Sequence, residues 1–174
     1  MKKWTIDPTH SEVGFKVKHM MFTNVSGKFD QYDGTIETQE NDFTTAVISF
    51  SALIDSIDTR NKDRDNHLKS VDFFNAENYP ELTFAGKSFS KIDENNYELI
   101  GDLSIKNATK EVKLPVEFSG LMQDPWGNTK VGLNIEGKIN RKDWGLNWNS
   151  ALETGGVLVG EEVKLTIDLQ LVKS

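Results

Sequence analysis

Positions 56–84 read Ser-Ile-Asp-Thr-Arg-Asn-Lys-Asp-Arg-Asp-Asn-His-Leu-Lys-Ser-Val-Asp-Phe-Phe-Asn-Ala-Glu-Asn-Tyr-Pro-Glu-Leu-Thr-Phe, and they interrupt a sequence that elsewhere has the pattern of β-strands. Within them, Arg64, His67 with Leu68, and Val71 recur at spacings of three and four residues. This spacing places the side chains on one face of a helix. The face is basic at one end and apolar at the other. We therefore expect the segment to act as a plug or lid for whatever the strands enclose.

The ends of this helix are predicted from the flanking residues. Thr59, or Asp58 before it, is the expected N-cap, because a short side-chain oxygen accepts a hydrogen bond from an amide of the first turn. Asn75 and then Tyr79-Pro80 end the segment, since proline biases the residue before it away from the helical conformation. The prediction is one short helical insertion at about residues 59–75.

The rest of the sequence alternates apolar and polar residues in short segments, as half-buried strands do. The clearest alternation runs from Val163 to Leu171. Turns are predicted at Asn24 to Gly27 and at Asn107-Ala108-Thr109, and a flexible loop is predicted at Gly155-Gly156 to Gly160. The segments amount to roughly eight strands in a single domain over residues 1–174.

Two all-β architectures compete for this pattern, a sandwich of two sheets and a closed up-and-down barrel. Consecutive hairpins without long crossovers favour an eight-stranded antiparallel barrel. The interior of such a barrel is just large enough to be filled by side chains or to hold one slender ligand. Gly27, Gly101 and Gly137 are interspersed among large inward-facing residues and leave room on their faces. We therefore predict an apolar interior that its own side chains fill incompletely.

Composition narrows the functional classes. The 174 residues carry a formal net charge of -7, which disfavours nucleic acid as a partner because phosphate binding needs a basic surface. The sequence has no cysteine, so disulfides, thiolate catalysis and cysteine-ligated metals are excluded. No window has the apolar length of a transmembrane helix, and no apolar segment follows Lys2-Lys3 as it would in a signal peptide. The expectation is a soluble cytoplasmic protein, or a periplasmic one if the sequence is a processed form.

Several motifs together resemble a known family. They are Trp4-x-Ile6-Asp7-x-x-His10-Ser11, His19, Gly27-x-Phe29, Ser56-Ile57-Asp58-Thr59, Arg64-Asp65-x-His67-Leu68-x-Ser70-x-Asp72-Phe73-Phe74, Tyr79-Pro80, Phe84, Gly101-x-Leu103, Thr109-Lys110-x-Val112, Asp124-Pro125-Trp126-Gly127 and Arg141-x-Asp143. With them the chain resembles the YceI-like proteins, a polyisoprenoid-binding family with a lipocalin-like barrel, over nearly its whole length. The resemblance implies a long apolar tunnel that holds a polyprenyl or other long-chain amphiphile, and it is compatible with a homodimer. Several family members are exported to the periplasm, whereas no leader segment is recognised here.

Apolar strand positions are the first candidates for ligand binding. They are Val13, Phe15, Val17, Phe29, Ile48, Phe50, Leu68, Phe84, Leu103, Leu114, Val116, Leu133 and Ile135. Removing a tail from water contributes about 0.8 kcal/mol for each buried CH₂ group, so these residues can supply affinity without ionic contacts. Ordinary core packing is the alternative for each of them, because a barrel core and a barrel pocket have the same alternation.

The polar candidates are His19, Arg64 and His67. Each has a structural alternative: His19 is a hydrogen-bonded core residue, and His67 fixes the helix against the strands. Arg64 either engages an anionic or carbonyl head group at the tunnel mouth or belongs to an ion-pair and capping network with Asp58 and Asp65. Arg141, beside Trp144 in a loop, has the same ambiguity.

The predicted function is binding of a long-chain lipid as a carrier, reservoir or sequestering protein. An enzyme that acts on a similar lipid, with His10, His19 or His67 as acid or base, is one alternative. A scaffold or stress protein whose barrel is filled by its own side chains is another. The sequence lacks the nucleophile motif Gly-x-Ser-x-Gly and the zinc spacings His-x-x-x-His and His-Glu-x-x-His. No catalytic residue, metal or cofactor is therefore predicted.

Overall fold

Alternating apolar and polar residues form strands with one buried face, and the eighth strand shows this most clearly. In Asn96–Ile105 every second residue, from Tyr97 to Ile105, is buried and the residues between them are partly exposed. The computed structural model describes residues 1–150, 152 and 158–174. Its strands are β1 Lys2–Ile6, β2 Glu12–His19, β3 Thr23–Phe29, β4 Tyr32–Gln39, β5 Asp42–Leu53, β6 Ile57–Asp58, β7 Glu81–Lys91, β8 Asn96–Ile105, β9 Ala108–Gln123, β10 Thr129–Asn140 and β11 Val159–Lys173.

Eight of these strands close into a barrel in the order β1, β4, β5, β7, β8, β9, β10 and β11. The ring closes between its first and last strands, where Trp4 lies opposite Lys173 and the two strands run antiparallel. The N-terminal part of β11 pairs with β2, and β3 and β6 follow, so that three strands extend the sheet beyond the ring. The predicted all-β, eight-stranded antiparallel barrel is confirmed, and the sandwich alternative is wrong.

Both predicted turns are shifted along the sequence: the one at Asn107-Ala108-Thr109 is made by Lys106 and Asn107, with Ala108 and Thr109 already in β9. Asn24 to Gly27 lies inside β3, and the connection from β2 is made by Met20 to Phe22. Met20 and Met21 have φ angles of 52° and 69°, a conformation that side chains other than glycine seldom adopt. Gly27 lies within β3 and not in a turn. A Cβ atom at this position would overlap the Phe15 ring on β2. Of the loop predicted at Gly155-Gly156 to Gly160, residues 155–157 lie outside the described residues and Gly160 lies in β11.

The helical insertion is shorter than predicted. Helix α1 spans Lys62–Lys69, and its N-cap is Asn61, whose side chain accepts a hydrogen bond from the Arg64 amide at 2.9 Å. The predicted caps, Thr59 and Asp58, are wrong because the chain is still extended at Ile57–Asp58 and enters the helix only after Asn61. Residues 70–80 continue as turns and loop. No helix in the described ranges is both long and apolar enough to cross a membrane.

Different groups of residues close the two ends of the barrel. At one end, which we call the aromatic end, five buried rings pack together: Trp4, Phe43, Phe89, Tyr97 and Phe118. At the other, the helical end, lie α1, residues 70–80 and the 3-10 turn Arg141–Trp144. The Trp144 indole donates to the Leu103 carbonyl at 2.8 Å, near the end of β8 that is remote from Tyr97. The barrel interior between these ends holds the site.

Candidate functional site

An apolar cavity of about 210 Å³ lies inside the barrel. Its wall consists of Ile6, Val13, Gly14, Phe15, Val17, Phe29, Gly34, Ile36, Ile48, Ser49, Phe50, Phe73, Phe74, Leu82, Phe84, Phe89, Leu99, Leu103, Ile105, Val112, Leu114, Leu133, Ile135, Ile139, Arg141, Trp144, Leu146, Val163, Leu165, Ile167 and Leu169. These residues come from both the ring and the extension, so β2 and β3 form part of the wall. Almost every atom that faces the cavity is apolar.

The three glycines expected to leave room do so indirectly. A Cβ atom at any of them would overlap a large side chain of a neighbouring strand. The overlapping pairs are Gly27 with Phe15, Gly101 with Phe84, and Gly137 with Leu114. These large side chains therefore lie against the sheet at the glycines and extend less far across the lumen. The cavity between them is the incompletely filled interior that the alternation predicts.

Most of the predicted apolar candidates lie on the cavity wall. They are Val13, Phe15, Val17, Phe29, Ile48, Phe50, Phe84, Leu103, Leu114, Leu133 and Ile135. Val116 shares a strand face with Leu114 but is 2% exposed within the core, because Tyr97, its cross-strand partner, belongs to the packed aromatic end. Leu68 packs on the core from α1 and does not reach the cavity.

The polar candidates lie outside the cavity. His19 is half-buried at the end of β2, opposite Thr23. The Arg64 side chain donates from Nε to Thr59 Oγ1 at 2.8 Å and from Nη2 to the Thr59 carbonyl. These bonds tie α1 to the strand before it, which is the structural alternative for Arg64. The expected ion pair with Asp58 or Asp65 is wrong for the described residues, since neither carboxylate is within ion-pair distance.

Asp65 and His67 hold the helical end together in different ways. Asp65 Oδ1 accepts hydrogen bonds from both the amide and the hydroxyl of Thr59, at 2.9 and 2.5 Å. His67 Nε2 lies 2.9 Å from Asp72 Oδ2, and its ring packs edge-to-face on Phe73 and Trp148. Since Phe73 lines the cavity, His67 supports the wall from behind.

Non-strand residues of the wall were missed by the sequence reasoning. Phe73, Phe74, Trp144 and Leu146 come from turns at the helical end, where no periodicity identifies an inward face. Other wall residues lie on strands and were not named as candidates, although the alternation of the sequence indicates that they face inward. In particular, Leu165, Ile167 and Leu169 continue the clearest alternation in the chain, and the last two lie directly opposite residues of β10 that also line the cavity.

Arg141 is the one charged side chain among the described lining residues. It is 3% exposed, and its guanidinium group donates to backbone carbonyl groups of the following loop and of β11. Burial lowers the pKa of Arg141, and the charge of Glu161 opposes this effect. Arginine remains protonated in proteins, so the wall carries a permanent positive charge.

The histidines named for an enzymatic alternative do not reach the cavity. His10 lies on the outer surface with Nδ1 2.8 Å from Asp7 Oδ2, and this hydrogen bond, with that from Thr9, holds the pKa of Asp7 at about 2. His19 and His67 are placed as described above. In the part of the chain that the structure covers, no three His, Asp or Glu side chains cluster closely enough to hold a metal ion.

Comparisons with known proteins agree with this architecture. A family model described as YceI-like domain matches residues 4–171. A UPF0312 protein of Staphylococcus aureus strain MSSA476 is 42% identical over 165 residues, covering 94% of each chain. The Campylobacter jejuni YCEI protein has a crystal structure with a TM-score of 0.78, 30% identity and 90% coverage of both chains. A domain of Saccharophagus degradans, described as polyisoprenoid binding and implicated in plant cell wall breakdown, has a TM-score of 0.75, 13% identity and 98% coverage of both chains.

Proposed function

The chain belongs to the YceI-like family, and we propose that it binds the tail of one long-chain lipid, a polyisoprenoid, an isoprenoid quinone or a fatty-acyl compound, inside its barrel. In this role it carries, stores or sequesters the lipid without converting it. The observation that carries the proposal is a cavity of about 210 Å³ whose facing surface is almost entirely apolar. The Saccharophagus degradans domain of the same fold is described as polyisoprenoid binding, which agrees with this use of the barrel.

The chemistry of the wall supports tail binding. An isoprene unit of about five carbons contributes roughly 3 kcal/mol on full burial, before the cost of ordering the chain and of association is subtracted. Several buried units would therefore give tight binding even when most of the gross gain is offset. The location of His10, His19 and His67 outside the cavity favours binding over acid–base catalysis.

The first test identifies what the protein retains. The protein is purified without detergent, extracted with organic solvent and analysed by mass spectrometry. We expect one lipid class in a ratio near one per chain, and the stripped protein should take up a fluorescent long-chain probe. An empty extract together with no probe uptake would contradict the proposal.

A matched pair of variants assigns the uptake to the barrel interior. Ile48 lines the cavity, whereas its neighbour Val47 is 60% exposed on the outer face of the same strand. Ile48→Trp should occupy the lumen and reduce probe binding by at least about tenfold, since a tenfold loss corresponds to only about 1.4 kcal/mol. Val47→Trp should bind the probe as the wild type does. Equal binding by both variants would place the probe elsewhere.

A further inference from the structure

A short apolar turn projects beside the helical end of the barrel. Residues 20–22, Met-Met-Phe, connect β2 to β3, and all three side chains are exposed, Phe22 by 79%. The residue before them, His19, lies opposite Val159 at the start of β11. The Val159 carbonyl accepts a hydrogen bond from Arg141, which belongs to the 3-10 turn of the helical end. The turn therefore presents three apolar side chains to solvent at this end of the molecule.

The residues of the turn are poorly suited to its backbone. Met20 and Met21 have φ angles of 52° and 69°. Hairpin turns with two positive φ angles are ordinarily formed by asparagine and glycine, because this conformation is unfavourable for most residues with a Cβ atom. The exposed apolar surface gains nothing from packing. Such a departure from local preference is typical of a functional site.

Lysines cover the outer face of the sheet next to this turn. Lys16 on β2 lies directly opposite Lys164 on β11, which lies opposite Lys138 on β10. Lys18 is two residues closer to the turn, and all four side chains are exposed. Like charges directly opposite each other destabilise a sheet. The Glu162 carboxylate, 3.8 Å from Lys138 Nζ, offsets part of this repulsion.

Carboxylates lie on the same outer face, nearer the aromatic end. Glu12 on β2 is opposite Asp168 on β11, four residues along each strand from the lysine row, or roughly 13 Å at about 3.3 Å per residue. Asn134 on β10 separates Asp168 from a further carboxylate, Glu117 on β9. The chain has a formal net charge of -7, so an anionic surface repels most of the molecule and attracts the lysine half of this face. The molecule should therefore approach an anionic surface with the turn first.

We propose that the turn at residues 20–22 inserts into the interface of a bilayer that contains anionic lipids, while Lys16, Lys18 and Lys164 contact the head groups. Apolar side chains bury surface at the acyl boundary, and the amino groups of lysines stay at the level of the head groups. Lys18 and Lys16 lie roughly 7 and 13 Å from Met20 at about 3.3 Å per residue, so this sheet face is inclined toward the bilayer. The inference goes beyond the proposed function, because it depends on the turn and the lysines and not on the cavity.

Vesicles of two compositions test the attraction to anionic lipid. Wild-type protein is mixed with phosphatidylcholine vesicles, with or without phosphatidylglycerol, and the bound fraction is measured by flotation at low and at high salt. We expect at least about tenfold tighter binding to the anionic vesicles, since each lysine near an anionic leaflet contributes roughly a fivefold gain in affinity. High salt should reduce this binding. Equal binding to both vesicle types, or none to the anionic ones, would overturn the proposal.

Replacement of the turn separates membrane binding from stability. Met20→Asn with Met21→Gly supplies residues that favour positive φ angles, and Phe22→Ser removes the exposed ring. This triple variant should be at least as stable as the wild type and bind anionic vesicles at least about tenfold more weakly. Trp126→Ser is the matched control, since Trp126 is 82% exposed in the loop beyond the aromatic end, and it should bind as the wild type does. Unchanged binding by the triple variant, or an equal loss in Trp126→Ser, would refute the assignment to the turn.

Two pairs of lysine substitutions distinguish a local charge effect from an effect of net charge. Lys16→Gln with Lys164→Gln should weaken binding to anionic vesicles at least about tenfold and reduce its salt dependence. Lys3→Gln with Lys91→Gln removes the same number of charges from exposed positions at the aromatic end and should keep wild-type binding. Equal losses in both pairs would contradict docking through the lysine row.

Insertion itself is observed with a dye on the turn. The sequence has no cysteine, so Phe22→Cys accepts a single environment-sensitive fluorophore. Anionic vesicles should shift its emission to the blue, and lipids brominated on their acyl chains should quench it. The same dye on Trp126→Cys should keep its aqueous emission. No shift at residue 22 in vesicle-bound protein would contradict insertion, and a shift that rises with protein concentration without vesicles would assign the turn to a second copy of the chain instead.

Discussion

The aromatic end and the helical end close the same barrel by different physical means. At the aromatic end Trp4 is 0% exposed, its indole donates to Thr38 at 2.9 Å, and the Phe89 and Tyr97 rings stack at 4.7 Å. At the helical end α1 has no buried residue and is held by hydrogen bonds around Thr59, whereas the buried rings of that end, Phe73 and Trp144, come from the neighbouring segments. The aromatic end is an ordinary packed core, whereas α1 is held at the helical end by polar bonds that water can replace.

This difference indicates where the barrel opens. Segments with few buried apolar side chains open locally at a lower free energy than segments of the core. Displacement of α1 is therefore the expected route by which the proposed ligand reaches the cavity, and the aromatic end is its closed floor. The predictions below test this contrast, beginning with the largest effect.

Removing one aromatic ring at each end should destabilise the protein by different amounts. Phe118→Ala leaves a void among tightly packed rings and should reduce the free energy of unfolding by about 3–5 kcal/mol. Phe73→Ala should cost less, because one side of this ring already faces the cavity and has fewer atoms to lose contact with. Chemical denaturation of both variants measures the difference. An equal or larger loss for Phe73→Ala would remove the distinction between the ends.

Two carboxylates in the first turn of α1 test the role of polar bonds. Asp65→Ala removes the acceptor for the amide and the hydroxyl of Thr59 and should destabilise the helical end by about 1.5–3 kcal/mol. Asp63→Ala, at an exposed position of the same turn, should change stability by less than about 0.5 kcal/mol. Hydrogen exchange should show faster opening of α1 in Asp65→Ala and unchanged protection around Phe118. Loss of protection at both ends would mean that they unfold as one unit.

The smallest expected effect is a pH dependence at the loop beyond the aromatic end. Burial raises the pKa of Asp124, but hydrogen bonds from Asn128, Lys130 and the Trp126 amide outweigh it and lower the pKa to about 2. Because the folded-state pKa lies below the ordinary 3.8, this contribution to stability is complete above about pH 4 and is lost as the pH falls through 2. Asp124→Asn should flatten that part of the stability profile. A carboxyl titration by NMR with a midpoint near 3.8 would contradict the expectation.

Sequence periodicity predicted which strand residues face the barrel interior but not which of them line the cavity and which are packed in the core. Leu114 and Val116 share a face of β9, yet one lines the cavity and the other is packed among rings. The alternation is the same at both positions. Whether a cavity remains beside an inward residue depends on the size of the side chains that face it, which alternation does not describe. The turn at Met20 to Phe22 was missed because neither Met20 nor Met21 is a residue type that favours a positive φ angle. The turn is closed by the pairing of His19 with Thr23.

The polar part of the site depends on contacts that a linear sequence does not contain. Arg64 and Arg141 had the same two alternatives, and the structure places them differently. Arg64 binds Thr59, five residues away, outside the cavity. Arg141 reaches the Gly160 carbonyl, nineteen residues away on β11, from a position on the wall. The homodimer and the cellular location stay predictions.

The seam between β1 and β11 has a consequence for how the protein is made. The Thr5 hydroxyl donates to the carbonyl of Val172, a residue 167 positions later in the sequence. During synthesis the first strand must therefore wait until at least 167 further residues have left the ribosome before this partner arrives. Contacts between residues so distant in sequence form slowly, so we expect closure of the ring to be a late step in folding.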